Sequence, residues 1–261
     1  MLSNPVLELF AADQPAFGTW ATLVENPKFM RLLKAAGLDF VILEMEHTDF
    51  TIAQVSALIL VARASGLAPI VRPPGLAPHD LTRPLDAGAM GLLLPRIDTP
   101  EQLDGVLQVT KYYPRGERIL NMRGAHTDYQ RLADPADQIA QLNEQTMTVA
   151  MVETQQSLDA LPEICAVDGL DAVMIGPDDL SQDLGVPGQA RHPRMQAATE
   201  RVIDVCSAAS VPWGFSCQDI ASAEGWLDRG IRWLPFANDA AILFNAFTET
   251  AAALKSHCGR T

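Results

Sequence analysis

Cysteine is scarce in this sequence. The four that occur, Cys165, Cys206, Cys217 and Cys258, include no Cys-x-x-Cys pair and stand beside no histidine cluster. A disulfide scaffold and a zinc knuckle are thereby excluded, and reduced thiols in a cytosol fit better. Basic residues are also few. Nineteen Lys and Arg stand against 32 Asp and Glu, a formal net charge of -13. A surface of that sign repels phosphate backbones and argues against a nucleic-acid partner. No apolar run is long enough to cross a bilayer, so no membrane partner is expected. Met1 to Asp13 carries acids and lacks the basic start of a secretory leader, so none is expected there. There is no P-loop, no dinucleotide fingerprint and no Gly-x-Ser-x-Gly elbow. No Gly/Ser linker, charge block or low-complexity stretch divides the chain, so one domain is expected over residues 1–261.

What the chain does have is a recurring pattern. Short apolar runs appear at Phe17–Leu23, Phe40–Leu43, Pro69–Val71, Met90–Leu94, Thr148–Val152, Ala172–Ile175, Val211–Phe215 and Ile231–Phe236. Their continuous apolar character suits strands buried on both faces, as in a parallel sheet. Helix signals lie between them. Asn26-Pro27 sets a cap residue before a proline, and Thr99-Pro100-Glu101-Gln102 reads as a capping box. Thr51 to Ala64 has the apolar density of a helix lying on a sheet. Gly37, Gly66, Gly169 and Gly230 each fall just past a helical stretch, where a left-handed cap takes glycine. Eight strand–helix alternations predict an α/β fold of the (β/α)8, or TIM-barrel, type. A doubly wound sheet is the alternative, but Gly18-Thr19-Trp20 is not its Gly-rich first turn. The long interval between the fourth and fifth runs, with Tyr113-Pro114-Arg115-Gly116 inside it, reads as a functional loop.

In such a barrel the chemistry gathers at the C-terminal ends of strands. Those ends carry Glu44-Met45-Glu46-His47, Arg72-Pro73-Pro74, Pro95-Arg96, Glu153-Thr154 and Gly176-Pro177-Asp178-Asp179-Leu180-Ser181. Glu153 and Asp179 end adjacent strands and can share a hard cation, Mg2+ or Mn2+ rather than zinc. They can equally form a salt bridge, or Asp179 can cap a helix. His47 can act as a base oriented by Glu44 or Glu46, or simply bond a backbone carbonyl. Arg72 is either a structural clamp or a bidentate holder of a carboxylate or enolate oxygen. Cys217 reads as an inert thiol, and His79 and His126 as loop residues.

These stretches, in this order, resemble the HpcH/HpaI aldolase family, which includes 4-hydroxy-2-oxoheptanedioate and 2-dehydro-3-deoxyglucarate aldolases. Phe40 to His47, Arg72-Pro73, Leu85 to Ala89 and Leu92 to Pro95 carry the likeness first. Tyr113 to Gly116, Val152-Glu153-Thr154, Ile175 to Ser181 and Leu184-Gly185 continue it. The resemblance implies a phosphoenolpyruvate/pyruvate-type barrel with an exchanged C-terminal helix, and a homo-oligomer, commonly a hexamer. It implies class II aldolase chemistry on a pyruvate-type 2-oxoacid and an aldehyde, with Mg2+, Mn2+ or Co2+ held by Glu153 and Asp179. His47 would be the base, paired with Glu44, and Arg72 would sit on the keto or enolate oxygen. Asp86 would help shape the site from a neighbouring subunit. Gly176, Pro177 and Asp178 would face the pyruvate carboxylate. Two positions depart from the family pattern: Glu44 stands where Asp is usual, and Met151, expected beside the substrate, where Gln is usual. Oxaloacetate decarboxylation or citrate-forming condensation on the same scaffold is the alternative reaction. A barrel that only binds is the remote one, because it has no need for His47, Arg72, Glu153 and Asp179 together.

Overall fold

A computed structural model describes residues 3–260. Residues 1, 2 and 261, which the single-domain and leader readings also covered, lie outside the described residues. Eight parallel strands close in sequence order into a barrel. They are β1 (Ala16–Ala21), β2 (Phe40–Glu44), β3 (Ala68–Arg72), β4 (Gly91–Leu94), β5 (Met147–Val152), β6 (Ala172–Ile175), β7 (Trp213–Phe215) and β8 (Trp233–Asn238). Each of the eight apolar runs became one of them. The doubly wound alternative fails because β1 pairs with both β2 and β8.

Helix α1 (Pro5–Ala11) precedes β1, and α2 (Lys28–Ala35), α3 (Ile52–Ala64), α4 (Pro78–Ala87) and α5 (Pro100–Thr110) follow the first four strands. Then come α6 (Pro135–Gln145) before β5, α7 (Gln155–Asp159) and α8 (Leu161–Cys165) before β6, and α9 (Pro177–Asp183) and α10 (Pro193–Ala209) before β7. Helix α11 (Ile220–Leu227) precedes β8, and α12 (Asp239–His257) ends the described chain. The start signals worked as local chemistry requires. Thr99 and Gln102 close a reciprocal capping box, and Asn26 accepts from the Lys28 N–H at 3.0 Å. The four glycines expected past helix ends all have positive φ, between 74° and 99°.

Inward side chains fill the barrel. Phe40 and Trp233 plug it with ring centroids 5.1 Å apart. Gly18 makes room for them, since a Cβ there would lie 2.4 Å from the Phe40 ring. Nearer the mouth, Met151 and Met174 continue this core. The ring is fastened at the mouth by Asp239, at the start of α12. Its carboxylate accepts from Thr22 N and Oγ1 and from the N–H groups of Leu23 and Val24, at 2.7–3.1 Å. Helix α12 then runs outward, leaving Ile242, Leu243, Phe244, Phe247 and Leu254 exposed. Among the described residues, no helix is long and apolar enough to cross a membrane.

Candidate active site

The C-terminal ends of the strands surround a cavity of about 930 Å³, within the range of small-molecule sites. It is lined by Glu44, His47, Arg72, Met151, Glu153 and the Gly176–Asp179 segment. The strand-end rule thus gathered nearly every predicted residue at one place.

Arg72, on the cavity wall, links several of these residues. Glu44 and Arg72 are register partners on β2 and β3, so their side chains point to the same side of the sheet. The Glu44 carboxylate takes the Arg72 Nε–H through Oε2. Arg72 Nη1 lies 3.4 Å from Glu46 Oε2 and 3.9 Å from the Met151 sulfur. The Trp20 ring supports the guanidinium at 4.9 Å. The cation is therefore held on several sides.

This arrangement corrects the His47–Glu44 dyad. Glu44 Oε1 accepts from the backbone N–H groups of Glu46, at 2.6 Å, and His47, at 3.1 Å. It never reaches the imidazole. The register that sets Glu44 opposite Arg72 commits its second oxygen there. The His47 ring instead approaches Glu46, with Nε2 to Oε2 at 3.7 Å, and its side chain is 63% exposed. Burial pushes the Glu46 carboxyl above its ordinary range, against the pull of Arg72 and His47.

Glu153 follows β5 and is only 3% exposed. Its Oε1 accepts the Arg96 N–H at 2.6 Å. Arg96 adopts a left-handed φ of 51°, which costs a non-glycine residue about 1 kcal/mol. The other oxygen faces Gly176, where a Cβ would come within 2.8 Å of it. Glycine is required there by close approach. Burial, partly offset by the Arg96 N–H, and then the charges of Asp179 and Glu46 push the Glu153 carboxyl up to about 7. Among the described residues neither a helix cap by Asp179 nor an ion pair of Glu153 is formed. Helix α9 has no side-chain cap, and Glu153 bonds the backbone of Arg96 rather than a guanidinium.

Asp86 is not brought into the cavity of its own chain. It lies on α4 and pairs with Arg118 at 2.6 Å. The long interval does not line the cavity either. It folds against α4, with Tyr112, Arg118 and His126 buried. His126, read as a loop residue, sits in this packing, and burial lowers its affinity for a proton. Cys217 is buried, as an inert thiol would be. Sequence reasoning missed Trp20, Thr22, Phe215, Ser216, Gln218 and Asn238, which also line the site. They follow or end β1, β7 and β8, and the strand-end rule applied to those three strands would have found them.

The fold and the site together define a parallel (β/α)8 enzyme with acids and one arginine converging at its mouth. Residues 17–246 match the family model of HpcH/HpaI aldolase/citrate lyase, and the chain belongs to that family of carbon–carbon lyases. It is 30% identical to 5-keto-4-deoxy-D-glucarate aldolase of Escherichia coli over 97% of each chain. The crystal structure of an HpcH/HpaI aldolase from Desulfitobacterium hafniense is similar at TM-score 0.90 and 30% identity, covering 95% of this chain and 96% of that one. Citrate synthase SbnG is similar at TM-score 0.89 and 25% identity over 100% of both chains.

Proposed function

We propose that this protein is a class II aldolase that cleaves or forms 4-hydroxy-2-oxoacids through a pyruvate-type enolate. The observation that carries the reading is the convergence of Arg72, His47, Glu153 and Asp179 on one cavity. The 30% identity to an aldolase of a keto-deoxy sugar acid supports it.

Glu153 and Asp179 fit a divalent cation. Both donors are oxygens, and one of them holds a proton to an unusually high pH beside its neighbour. Among the described residues no group of three or more His, Cys, Asp or Glu is placed to hold a metal ion, so these two carboxylates would have to share it with substrate and water. Two carboxylates with positions left for substrate and water suit Mg2+ or Mn2+, with Co2+ a further candidate. Bound there, the cation would stabilise negative charge developing on the substrate's keto oxygen.

The chain's own residues do the rest. His47 takes the proton from the 4-hydroxyl, the C3–C4 bond breaks to release the aldehyde, and the electron pair moves onto the C2 oxygen. Arg72 donates to that oxygen as its charge grows. Proton return to C3 yields pyruvate. The Gly176-Pro177-Asp178 segment lines the same cavity, and we assign its backbone to the pyruvate carboxylate. The four free thiols support a reducing, cytosolic setting. The bare apolar face of α12 supports exchange onto a second copy within a homo-oligomer, a hexamer in our reading. Asp86 would reach a site only across such an interface.

The test is incubation with pyruvate, a panel of aldehydes and Mg2+ or Mn2+. New 4-hydroxy-2-oxoacids are expected, and EDTA should abolish their formation. Full activity in a verified metal-free preparation would sink the class II assignment. The likeness to a citrate synthase favours a second reading, condensation with an acyl-CoA, which would release free CoA instead. Release of CO2 from oxaloacetate would mark the decarboxylase reading.

His47→Ala should lower kcat by about a hundredfold or more, the usual worth of a positioned base. Its thermal melt should stay within about 0.5 kcal/mol of the parent, because the side chain is exposed. Near-normal turnover would hand the proton to another group.

Met151→Gln tests substrate choice. Met151 meets Arg72 Nη1 with its sulfur at 3.9 Å, so the wall it adds to the cavity is a thioether and not an amide. A glutamine there should raise kcat/KM for hydroxylated aldehydes relative to apolar ones by about tenfold. An unchanged ratio would show that residue 151 does not touch the discriminating group.

A further inference from the structure

A second cavity of about 700 Å³ opens beside the first, between α10 and α11. Ala190, Phe215, Ser216 and Gln218 line both. The two therefore adjoin around the end of β7. The carboxylates, Arg72 and His47 all line the first part, which holds the reacting end of the substrate. The wall of the second part is different. Phe215 stacks on Trp226 at 5.0 Å with a tilt of 33°. Arg229 covers Trp226 at 5.2 Å, and Trp213 braces it edge-on at 6.0 Å. These contacts hold the indole rigidly, yet it stays partly exposed to the groove. The charges along the groove are balanced. Arg229 is paired with Glu200, and Asp219, which lines the groove with Arg191, feels that guanidinium's charge without an ion pair. The two basic and two acidic side chains of this lining cancel in formal charge. The groove offers a preordered aromatic wall, against which rings and apolar chains pack at low entropic cost.

We infer that this groove seats the distal end of the acceptor aldehyde, and that the enzyme takes aldehydes with an aromatic or extended apolar tail. The inference rests on the aldolase reading above. Pyruvate is far smaller than the first cavity alone, and Phe215 lines both spaces. An aldehyde carbon held beside His47 and Arg72 can send its tail past Phe215 and along Trp226. Short hydroxyaldehydes would leave the groove unused and gain nothing from it.

Initial rates of condensation at saturating pyruvate and Mg2+ test this, with glycolaldehyde as the short acceptor and 3-phenylpropanal as the long one. Two variants alter the groove at residues that do not themselves line the first cavity. Trp226→Ala removes its wall. Ala197→Trp fills it from an exposed position on α10, and keeps the test open should Trp226→Ala fail to fold. Both are expected to lower kcat/KM for 3-phenylpropanal about tenfold, with glycolaldehyde within twofold of the parent. An unchanged ratio of the two acceptors in a folded variant overturns the inference. So does a parent enzyme that condenses glycolaldehyde but not 3-phenylpropanal, and the aldolase reading then stands. If neither aldehyde reacts, the aldolase reading fails and takes this inference with it.

Discussion

Glu153→Gln should lose about a hundredfold or more in kcat/KM, and yet melt above the parent in chelator at pH 8. The two effects share one cause. The Glu153 carboxyl is 3% exposed, and burial with the charges of Asp179 and Glu46 raises it from 4.5 to about 7. The sign follows from the two protonation states. Between pH 4.5 and 7 the folded chain holds a proton that the unfolded chain has already lost. Stability of the metal-free protein should therefore fall as pH rises through that window, by about 3 kcal/mol, and then level off. Glutamine still offers an oxygen to the Arg96 N–H but carries no charge to bury. It escapes the loss and forfeits a ligand. Mg2+ should raise the melting temperature of the parent at pH 8 and leave Glu153→Gln nearly unmoved. A variant less stable than the parent in chelator would mean that Glu153 is a structural partner and not a ligand.

Arg72→Ala should be damaging twice over. Glu44 is 2% exposed, and its Oε2 is committed to Arg72. Removing the cation leaves a buried carboxylate unpaired, at a cost of about 3–5 kcal/mol. Turnover should fall by about a thousandfold, since no other guanidinium lines the cavity. The losses are separable. Glu44→Gln combined with Arg72→Ala should recover most of the stability and none of the activity, a coupling that a double-mutant cycle reads directly. Arg72→Lys should fold but remain at least about tenfold slow, because an ammonium cannot meet Glu44, Glu46 and a substrate oxygen with one fork. Turnover close to the parent in Arg72→Ala would remove this residue from the chemistry.

The barrel could be read from the sequence because its strands are buried on both faces. Runs such as Ala172–Ile175 have no polar position to blur them, and the helices between announce themselves through Thr99, Gly37 and Gly66. The site was largely legible for a related reason. A barrel delivers strand ends to one mouth, so Glu44, Arg72, Glu153 and Asp179 could be assembled without knowing any distance. What stayed hidden depends on register and on side-chain reach. Nothing in Glu-Met-Glu-His says that the first carboxylate turns to Arg72 on the next strand while the second approaches the imidazole. Asp86 was equally opaque, because the Arg118 that engages it lies 32 residues further along the chain. Trp20 escaped notice as one more apolar letter in the first run, although its ring supports the Arg72 guanidinium.

The Asp239 carboxylate joins a loop after β1 to the residue that follows β8, across 217 positions of chain. During synthesis that partner is among the last parts of the barrel to be made. Until then β1 can pair on one side only, with β2, and its other edge stays open for most of translation. Ring closure is thus the most non-local event in folding this chain, and the growing polypeptide carries an unsatisfied strand edge until it arrives. A ribosome stalled before residue 233, where β8 begins, would hold a curved sheet with two free edges. In that state the nascent chain is most exposed to association with its neighbours, and most in need of a chaperone.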